Sequence, residues 1–190
     1  VQTCALPICF ASERLPGKML LEIGGKPLIQ HTWERARQSG ASDVVIATDD
    51  RRILEVAESF GATTRMTSSD HQSGSDRIAE CGRLMGWRDE DLIVNLQGDE
   101  PLMPPACLEQ VARLLDGQTH SSIASLYWPI SDASEVTNPN AVKVVTDCNQ
   151  RAMYFSRSPI PYARGYTDID AALIGGIKWK RHLGLYAYRL

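Results

Sequence analysis

The sequence predicts an α/β sandwich with a mixed central sheet, and three observations lead to this fold class. Two short apolar runs, residues 43–48 and 92–96, lack polar alternation, which is typical of strands buried on both faces of a parallel sheet. The early strands alternate with helical patterns of about 8–12 residues, as in doubly wound folds. The later strand-like segments follow one another without helices between them, which indicates a mixed sheet.

Each predicted element has a local signal. A helix begins near Pro27 and carries Leu28, Ile29 and Trp33 at helical spacing until Gly40 ends it. Further helices are predicted at residues 51–60, 75–85 and 105–115. Strands are predicted at residues 43–48, 92–96, 122–127, 140–146, 152–156 and 183–188.

Composition restricts the possible functions. The 190 residues suit a single domain over residues 1–190, and a net charge of −3 without any basic run argues against a nucleic-acid partner. No apolar run approaches the ~20 residues that a membrane span needs. The five cysteines are odd in number and lack metal-ligand spacing, so we expect reduced thiols in a cytoplasmic protein.

Both ends of the chain indicate a fragment. The chain starts at Val1 rather than at methionine, and its first eight residues predict a poor strand and are too few for a signal peptide. It stops at Leu190, directly after a strand-like segment. We therefore expect an incomplete domain in which residues 1–9 are non-native or disordered.

The most informative junction joins the strand at residues 92–96 to Gln97, Gly98, Asp99, Glu100 and Pro101. Ligands of parallel sheets bind outside the carboxyl ends of the strands. Here that end carries a glycine for close backbone approach and two adjacent carboxylates. Carboxylates are the ligands that Mg²⁺ prefers, and Mg²⁺ usually binds together with substrate phosphates. The junction therefore predicts phosphate chemistry.

A second candidate is the loop that contains Arg14, Pro16, Gly17 and Lys18. Two cations that flank a tight Pro-Gly turn could hold a polyphosphate, although a solvated turn with two surface cations explains the same residues. The loop matches neither a Walker A sequence nor a GxGxxG fingerprint. This argues against a P-loop kinase and against a dehydrogenase.

A third candidate, residues 70–77, places small polar residues before a helix, with Ser73 or a neighbouring aspartate as the cap. Such a helix start could bind a base or a phosphate through its amides, or it could be an ordinary capped helix. Arg77 lies in the first turn, where a cation opposes the helix dipole, and this placement favours a ligand as its partner.

The later segments each place a cation beside an apolar strand, namely Lys143, Arg157 and the group from Lys180 to His182. Cations on separate strands suit an anionic second substrate, such as a sugar that bears a carboxylate, while each alone could be a surface charge. For Trp87, Trp128 and Trp179 we expect packing rather than stacking on a base.

Taken together and in order, these segments closely resemble the 3-deoxy-manno-octulosonate (Kdo) cytidylyltransferase family, the CMP-Kdo synthetases. The resemblance extends over about residues 10–190. It is carried by ASERLPGK at 11–18, ATD at 47–49, DHQSGSDR at 70–77, NLQGDEP at 95–101, NPNAVK at 138–143, FSR at 155–157 and RHLGLY at 181–186.

The resemblance implies a Rossmann-like nucleotidyltransferase α/β/α fold and the reaction CTP + Kdo → CMP-Kdo + diphosphate, which activates Kdo for lipopolysaccharide biosynthesis. It implies that Lys18, Asp99 and Arg157 are the catalytic residues and that Asp99 binds Mg²⁺. The residues it assigns to the nucleotide are Arg14, Lys18, Ser73, Gly74 and Gln97, and those it assigns to Kdo are Arg77, Arg157, His182 and Tyr186. It also implies a homodimer for the full-length enzyme.

Two departures from the family pattern concern the site and the activity. Cys9 stands where the family has arginine, and the family continues past Leu190 with sugar-binding acidic residues and a second metal-binding aspartate. We therefore expect this polypeptide to be poorly active. The alternatives are a cytidylyltransferase for 8-amino Kdo or sialic acid, or a non-catalytic nucleotide-binding module.

Overall fold

Two compact units divide the chain, the first within residues 1–124 and 185–190 and the second within residues 125–184. The computed structural model describes residues 2–9 and 15–189. The elements that begin in the first unit are β1 (Gln2–Ile8), a 3-10 turn (Lys18–Leu20), β2 (Glu22–Ile23), β3 (Lys26–Pro27), α1 (Leu28–Arg37), β4 (Asp43–Thr48), α2 (Arg51–Ser59), β5 (Thr63–Met66), α3 (Gly74–Met85), β6 (Leu92–Asn95), α4 (Pro105–Asp116) and β7 (Ile123–Ile130). The remaining elements are α5 (Ala133–Thr137), β8 (Lys143–Thr146), β9 (Ala152–Ser156), α6 (Ile169–Ile174) and β10 (Trp179–Arg189).

The sheet of the first unit has the strand order β5-β4-β1-β6-β10. The four strands from β5 to β6 pair in parallel, and β10 pairs antiparallel with β6 through residues 186–189. This is the mixed sheet that the sequence predicts. All four residues of β6 are buried, as its unbroken apolar run requires.

The expectation that residues 1–8 make a poor strand is wrong for residues 2–8, which form the buried central strand β1. Cys4, Ala5 and Leu6 are completely buried between β4 and β6. Small and medium apolar side chains suit a strand that is covered on both faces. Pro7 is tolerated because the pairing with β6 has already ended at Ala5.

Helix α3 packs across the centre of this sheet. Ile78 contacts Ala5 of β1 and Ile93 of β6 in one buried cluster, and Cys81 packs against β4 in another. Full burial of an isoleucine side chain contributes roughly 1.5–3 kcal/mol. This packing fixes the N-terminus of α3 beside the carboxyl ends of β1 and β6.

Two features of the first unit differ from the sequence-based expectation. Strand β5 was not predicted, because its four residues, two of them exposed, have no apolar run. The residues around Gly24 and Gly25 were expected to form a plain turn, and they form the β2–β3 hairpin. Both glycines have positive φ, 60° and 79°, as a type I′ hairpin turn requires.

The second unit is built around an antiparallel pairing of β8 with β9 and of β8 with β10, the latter through Lys143 and Arg181. Its core is a cluster of Ile130, Val136, Ala172 and Trp179. The packing role predicted for the tryptophans is confirmed for Trp179 and Trp87. It is wrong for Trp128, which is 65% exposed on β7.

No helix in residues 2–9 and 15–189 has the length and apolar character that a membrane span requires.

Candidate active site

Lys18 and Asp99 meet at the carboxyl ends of two central strands of the first unit. Lys18 Nζ lies 2.5 Å from Asp99 Oδ2, although the two residues are 81 positions apart in the chain. The pair borders a cavity of about 240 Å³. The lining residues are Pro7, Ile8, Cys9, Lys18, Met19, Gly74, Gln97, Gly98 and Asp99. The expectation that these two loops converge is confirmed.

The 3-10 turn at residues 18–20 positions Lys18. Gly17 precedes the turn with φ 70°, a left-handed conformation that glycine adopts without strain. Leu20 N–H then donates to the Gly17 carbonyl over 2.9 Å. Met19 is 95% buried and anchors the turn, because its exposed fraction is only 5%.

Gly98 positions Asp99 by close packing. A β-carbon at residue 98 would lie 2.9 Å from Ile8 Cδ1 and 3.1 Å from Met19 Sδ, so a larger residue would displace both side chains. The buried hydroxyl of Thr32 donates to the Gly98 carbonyl over 2.7 Å. Sequence reasoning did not find Thr32, because a threonine inside a helix carries no signal for a contact 66 residues away.

A second cavity of about 420 Å³ shares Gly74 and Gln97 with the first. Its other lining residues are Ser75, Asn95, Ile123, Tyr186 and Tyr188. The rings of Tyr186 and Tyr188 are stacked with centroids 6.0 Å apart, and the Tyr188 hydroxyl lies 3.0 Å from Ser75 Oγ. Burial, and then the neighbouring Tyr188, raise the pKa of Tyr186 above its ordinary value. The cavity therefore offers aromatic faces and neutral hydrogen-bonding groups.

Helix α3 begins between the two cavities. Ser73 caps it by accepting from Asp76 N–H over 3.2 Å, and its hydroxyl donates to the Asp76 carboxylate over 2.7 Å. The first amides of an α-helix have no partner within the helix and point along its axis, where they favour an anion. Because Gly74 lines both cavities, this helix start faces them. A side chain at Gly74 would press against Pro7, whose Cγ would be 3.1 Å from the added β-carbon.

Arg77 does not have the position that the sequence suggested. It was assigned to the sugar, but it is completely buried and donates to Asp49 Oδ2 over 2.6 Å and to Thr67 Oγ1 over 2.5 Å. It also donates to the Ser68 carbonyl and to Cys9 Sγ, over 3.2 and 3.1 Å. The cation therefore ties together the chain after β1, β4 and β5, and its carboxylate partner is within the protein.

Arg157 and His182 belong to the second unit. Arg157 is exposed, and its Nη1 donates to the Pro139 carbonyl over 2.7 Å. His182 is half-buried, with Nε2 2.9 Å from Ser125 Oγ and its ring edge-on to Phe155 at 4.9 Å. Burial lowers the pKa of His182 below its ordinary value. Arg14, which the sequence assigns to the nucleotide, lies outside the described residues.

The mixed sheet, with a lysine and an aspartate at its strand ends, is the architecture of a cytidylyltransferase, and residues 5–189 match the family model described as cytidylyltransferase. The chain belongs to this family. It is 54% identical over 187 residues to the 3-deoxy-manno-octulosonate cytidylyltransferase of Thioalkalivibrio sulfidiphilus, with 98% of this chain and 74% of the relative covered.

Two further comparisons point to the same members of the family. The enzyme of the same name from Coxiella burnetii is 50% identical over 186 residues, with coverage of 97% and 74%. The solved structure of a CMP:2-keto-3-deoxy-manno-octonic acid synthetase complexed with CTP superposes with a TM-score of 0.88 at 40% identity, covering 99% of this chain and 73% of that one. The resemblance recognised in the sequence is confirmed.

Proposed function

We propose that the protein catalyses CTP + Kdo → CMP-Kdo + diphosphate and so activates Kdo for lipopolysaccharide biosynthesis. The observation that carries the proposal is the pairing of Lys18 with Asp99 at the strand ends of a cytidylyltransferase sheet. The names of relatives at 50–54% identity support the substrate pair. The CTP-bound neighbour supports cytidine triphosphate as the nucleotide.

The nucleotide is assigned to the two cavities of the first unit. Lys18 is the cation for the phosphates, and the α3 amides that begin at Gly74 add positive potential beside it. Gln97 borders both cavities, so its carboxamide can hydrogen-bond to the base or ribose while the phosphates lie next to Lys18. Ser73 contributes through the cap that fixes these amides. Arg14 stays assigned to the phosphates by the family resemblance alone.

Asp99 is the residue that would hold Mg²⁺. The described residues contain no group of three or more His, Cys, Asp or Glu side chains that could form a complete metal cage. Mg²⁺ usually binds through one or two carboxylates together with substrate phosphates and water, so a single exposed carboxylate at the cavity rim fits an ion that arrives with CTP. Once bound, the ion neutralises phosphate charge and polarises the reacting oxygens. Lys18 would then exchange its contact with Asp99 for the phosphates.

The reaction joins the anomeric oxygen of Kdo to the α-phosphorus and breaks the bond from that phosphorus to the bridging oxygen of diphosphate. The hydroxyl proton is released as the new ester forms. Phosphoryl transfer depends mainly on positioning and on the stabilisation of charge, so Lys18 needs only to hold the phosphates in line. Arg157 supplies a planar guanidinium that suits the carboxylate of Kdo, and His182 and Tyr186 supply hydrogen-bonding groups for the sugar.

We further propose a homodimer in the cytoplasm. The edge strand β9 exposes Met153, Tyr154 and Phe155, an apolar surface of the kind that marks protein interfaces. The five cysteines are unpaired, which suits a reducing compartment. Light scattering of wild-type protein and of Tyr154→Lys tests the dimer. A wild-type mass equal to one chain contradicts it.

Diphosphate release, measured with a coupled phosphatase assay, tests the reaction. Release is expected with CTP, Mg²⁺ and Kdo together, and not when Kdo is left out. Parallel reactions with 8-amino Kdo and N-acetylneuraminate identify the acceptor. CTP binding without acceptor-dependent release would instead indicate a non-catalytic nucleotide-binding module.

A further inference from the structure

Lys143 is a lysine in an unusual environment. Its side chain is completely buried at the start of β8, yet the ion pairs among the described residues include no carboxylate within reach of its ammonium. Its Nζ donates instead to two main-chain carbonyls, over 2.9 Å to Asn138 and 2.6 Å to Ala141. A buried charge is costly unless it is paired or hydrogen-bonded, so these carbonyls are what retains the ammonium.

The surrounding charges increase this cost. Burial lowers the pKa of Lys143, the positive charge of Arg157 lowers it further, and Glu135 acts in the opposite direction. Glu135 is itself engaged by Arg181, whose Nη1 lies 2.8 Å from its carboxylate. The ammonium is thus placed in a region of positive potential, which an apolar side chain of similar length would avoid.

The two carbonyls belong to a short segment that also holds Arg157. We call residues 138–141 the clamp loop. Arg157 Nη1 donates over 2.7 Å to the carbonyl of Pro139, which lies between the two carbonyls that Lys143 binds. Three of the four carbonyls of the clamp loop are therefore taken by two cations. Lys143 also pairs across the β8–β9 ladder with Ser156, the residue directly before Arg157.

We propose that Lys143 is a positioning residue for Arg157, because its buried ammonium holds the clamp loop so that the Pro139 carbonyl orients the Arg157 guanidinium toward the carboxylate of the acceptor sugar. The inference rests on the proposed function, in which Arg157 binds that carboxylate. Lys143 itself does not touch the sugar, since it has no exposed surface. Its contribution is to reduce the number of orientations open to an exposed arginine before the sugar binds.

Titration calorimetry of the full chain, loaded with α,β-methylene CTP and Mg²⁺, tests the inference with Kdo as the titrant. Lys143→Met should weaken Kdo binding about 10-fold, the size expected when a hydrogen-bonded charged group loses its orientation. The affinity for α,β-methylene CTP should stay within about twofold, because that ligand is assigned to the first unit. Lys143→Arg, which keeps a cation, should recover most of the affinity for Kdo.

A double-mutant cycle with Arg157→Ala separates positioning from general support of the fold. In the Arg157→Ala background, Lys143→Met should change the Kdo affinity by less than about twofold, since no guanidinium remains to be oriented. Lys180→Met is the matched control, because Lys180 is a lysine of the same unit that bonds to Thr146 and Gln150. It should leave Kdo binding unchanged.

Several results would overturn the inference. These are an unchanged Kdo affinity in Lys143→Met, an equal loss for both ligands, and a loss that persists in the Arg157→Ala background. If Lys143→Met and the milder Lys143→Gln both fail to fold, the ammonium supports the whole unit and the inference is also wrong. If Arg157→Ala alone binds Kdo normally, the assigned role of Arg157 fails, while acceptor-dependent diphosphate release still decides the proposed reaction.

Discussion

Replacing Asp99 with asparagine should separate the stability of the Lys18–Asp99 pair from its function. The nitrogen and oxygen lie 2.5 Å apart, and the side chains are 25% and 42% exposed. At this distance the Coulomb energy in water is about 1.7 kcal/mol, and side-chain entropy and screening reduce exposed pairs to about 0–1 kcal/mol. For a chain of this size a loss of about 1 kcal/mol lowers Tm by roughly 2–4 °C. The fold should therefore tolerate Asp99→Asn.

The effect on the reaction should be far larger than the effect on stability. An amide at residue 99 removes the carboxylate that we assign to the metal, and removing one group that stabilises developing charge costs about a hundredfold or more in rate. Diphosphate release from CTP and Kdo measures the rate, and thermal melting measures the stability of the same sample. The prediction is a nearly unchanged Tm together with a severe loss of turnover.

Glu34→Gln is the matched control for Asp99→Asn. The Lys26–Glu34 pair has a similar distance, 2.7 Å, and similar exposure, 45% and 33%, but neither residue lines a cavity described above. It should show the same small change in Tm with normal turnover. Near-normal diphosphate release by Asp99→Asn would refute its assigned role. A loss of stability of several kcal/mol would show that the pair is structural.

Three further outcomes follow from the contacts around the sites. Asp49→Asn leaves the buried Arg77 without its carboxylate, so urea unfolding should show a loss of about 3 kcal/mol, and a loss below about 1 kcal/mol would contradict the buried pair. Thr32→Val leaves the Gly98 carbonyl without its donor and should cost about 1–3 kcal/mol while raising KM for CTP; an unchanged KM would show that the loop needs no such support. Because burial holds the pKa of His182 below its ordinary 6.5, the unfolded chain binds a proton that the folded chain resists, so the free energy of unfolding should fall as pH drops below 6.5. His182→Gln should reduce that dependence, and an identical pH slope in both proteins would count against the shift.

Much of the first unit could be predicted because its signals are local. The unbroken apolar run at residues 92–95 marks a doubly buried strand, and the glycines after α1 and α3 mark helix ends. The order of the motifs indicated the family, and the strand ends indicated where Lys18 and Asp99 would meet. Strand β1 was missed because its seven residues become a strand through pairing with β4 and β6.

The sequence alone determined the fold class, the family and the loops that carry Lys18, Asp99 and Gln97. Periodicity, glycine placement and motif order are written in neighbouring residues. Only the tertiary structure decided which cation faces which partner. Arg77 turned inward because Asp49, 28 residues earlier, reaches it, and Lys143 became a buried clamp because carbonyls rather than carboxylates surround it. Such partners are selected by packing between distant segments, and no local pattern encodes them.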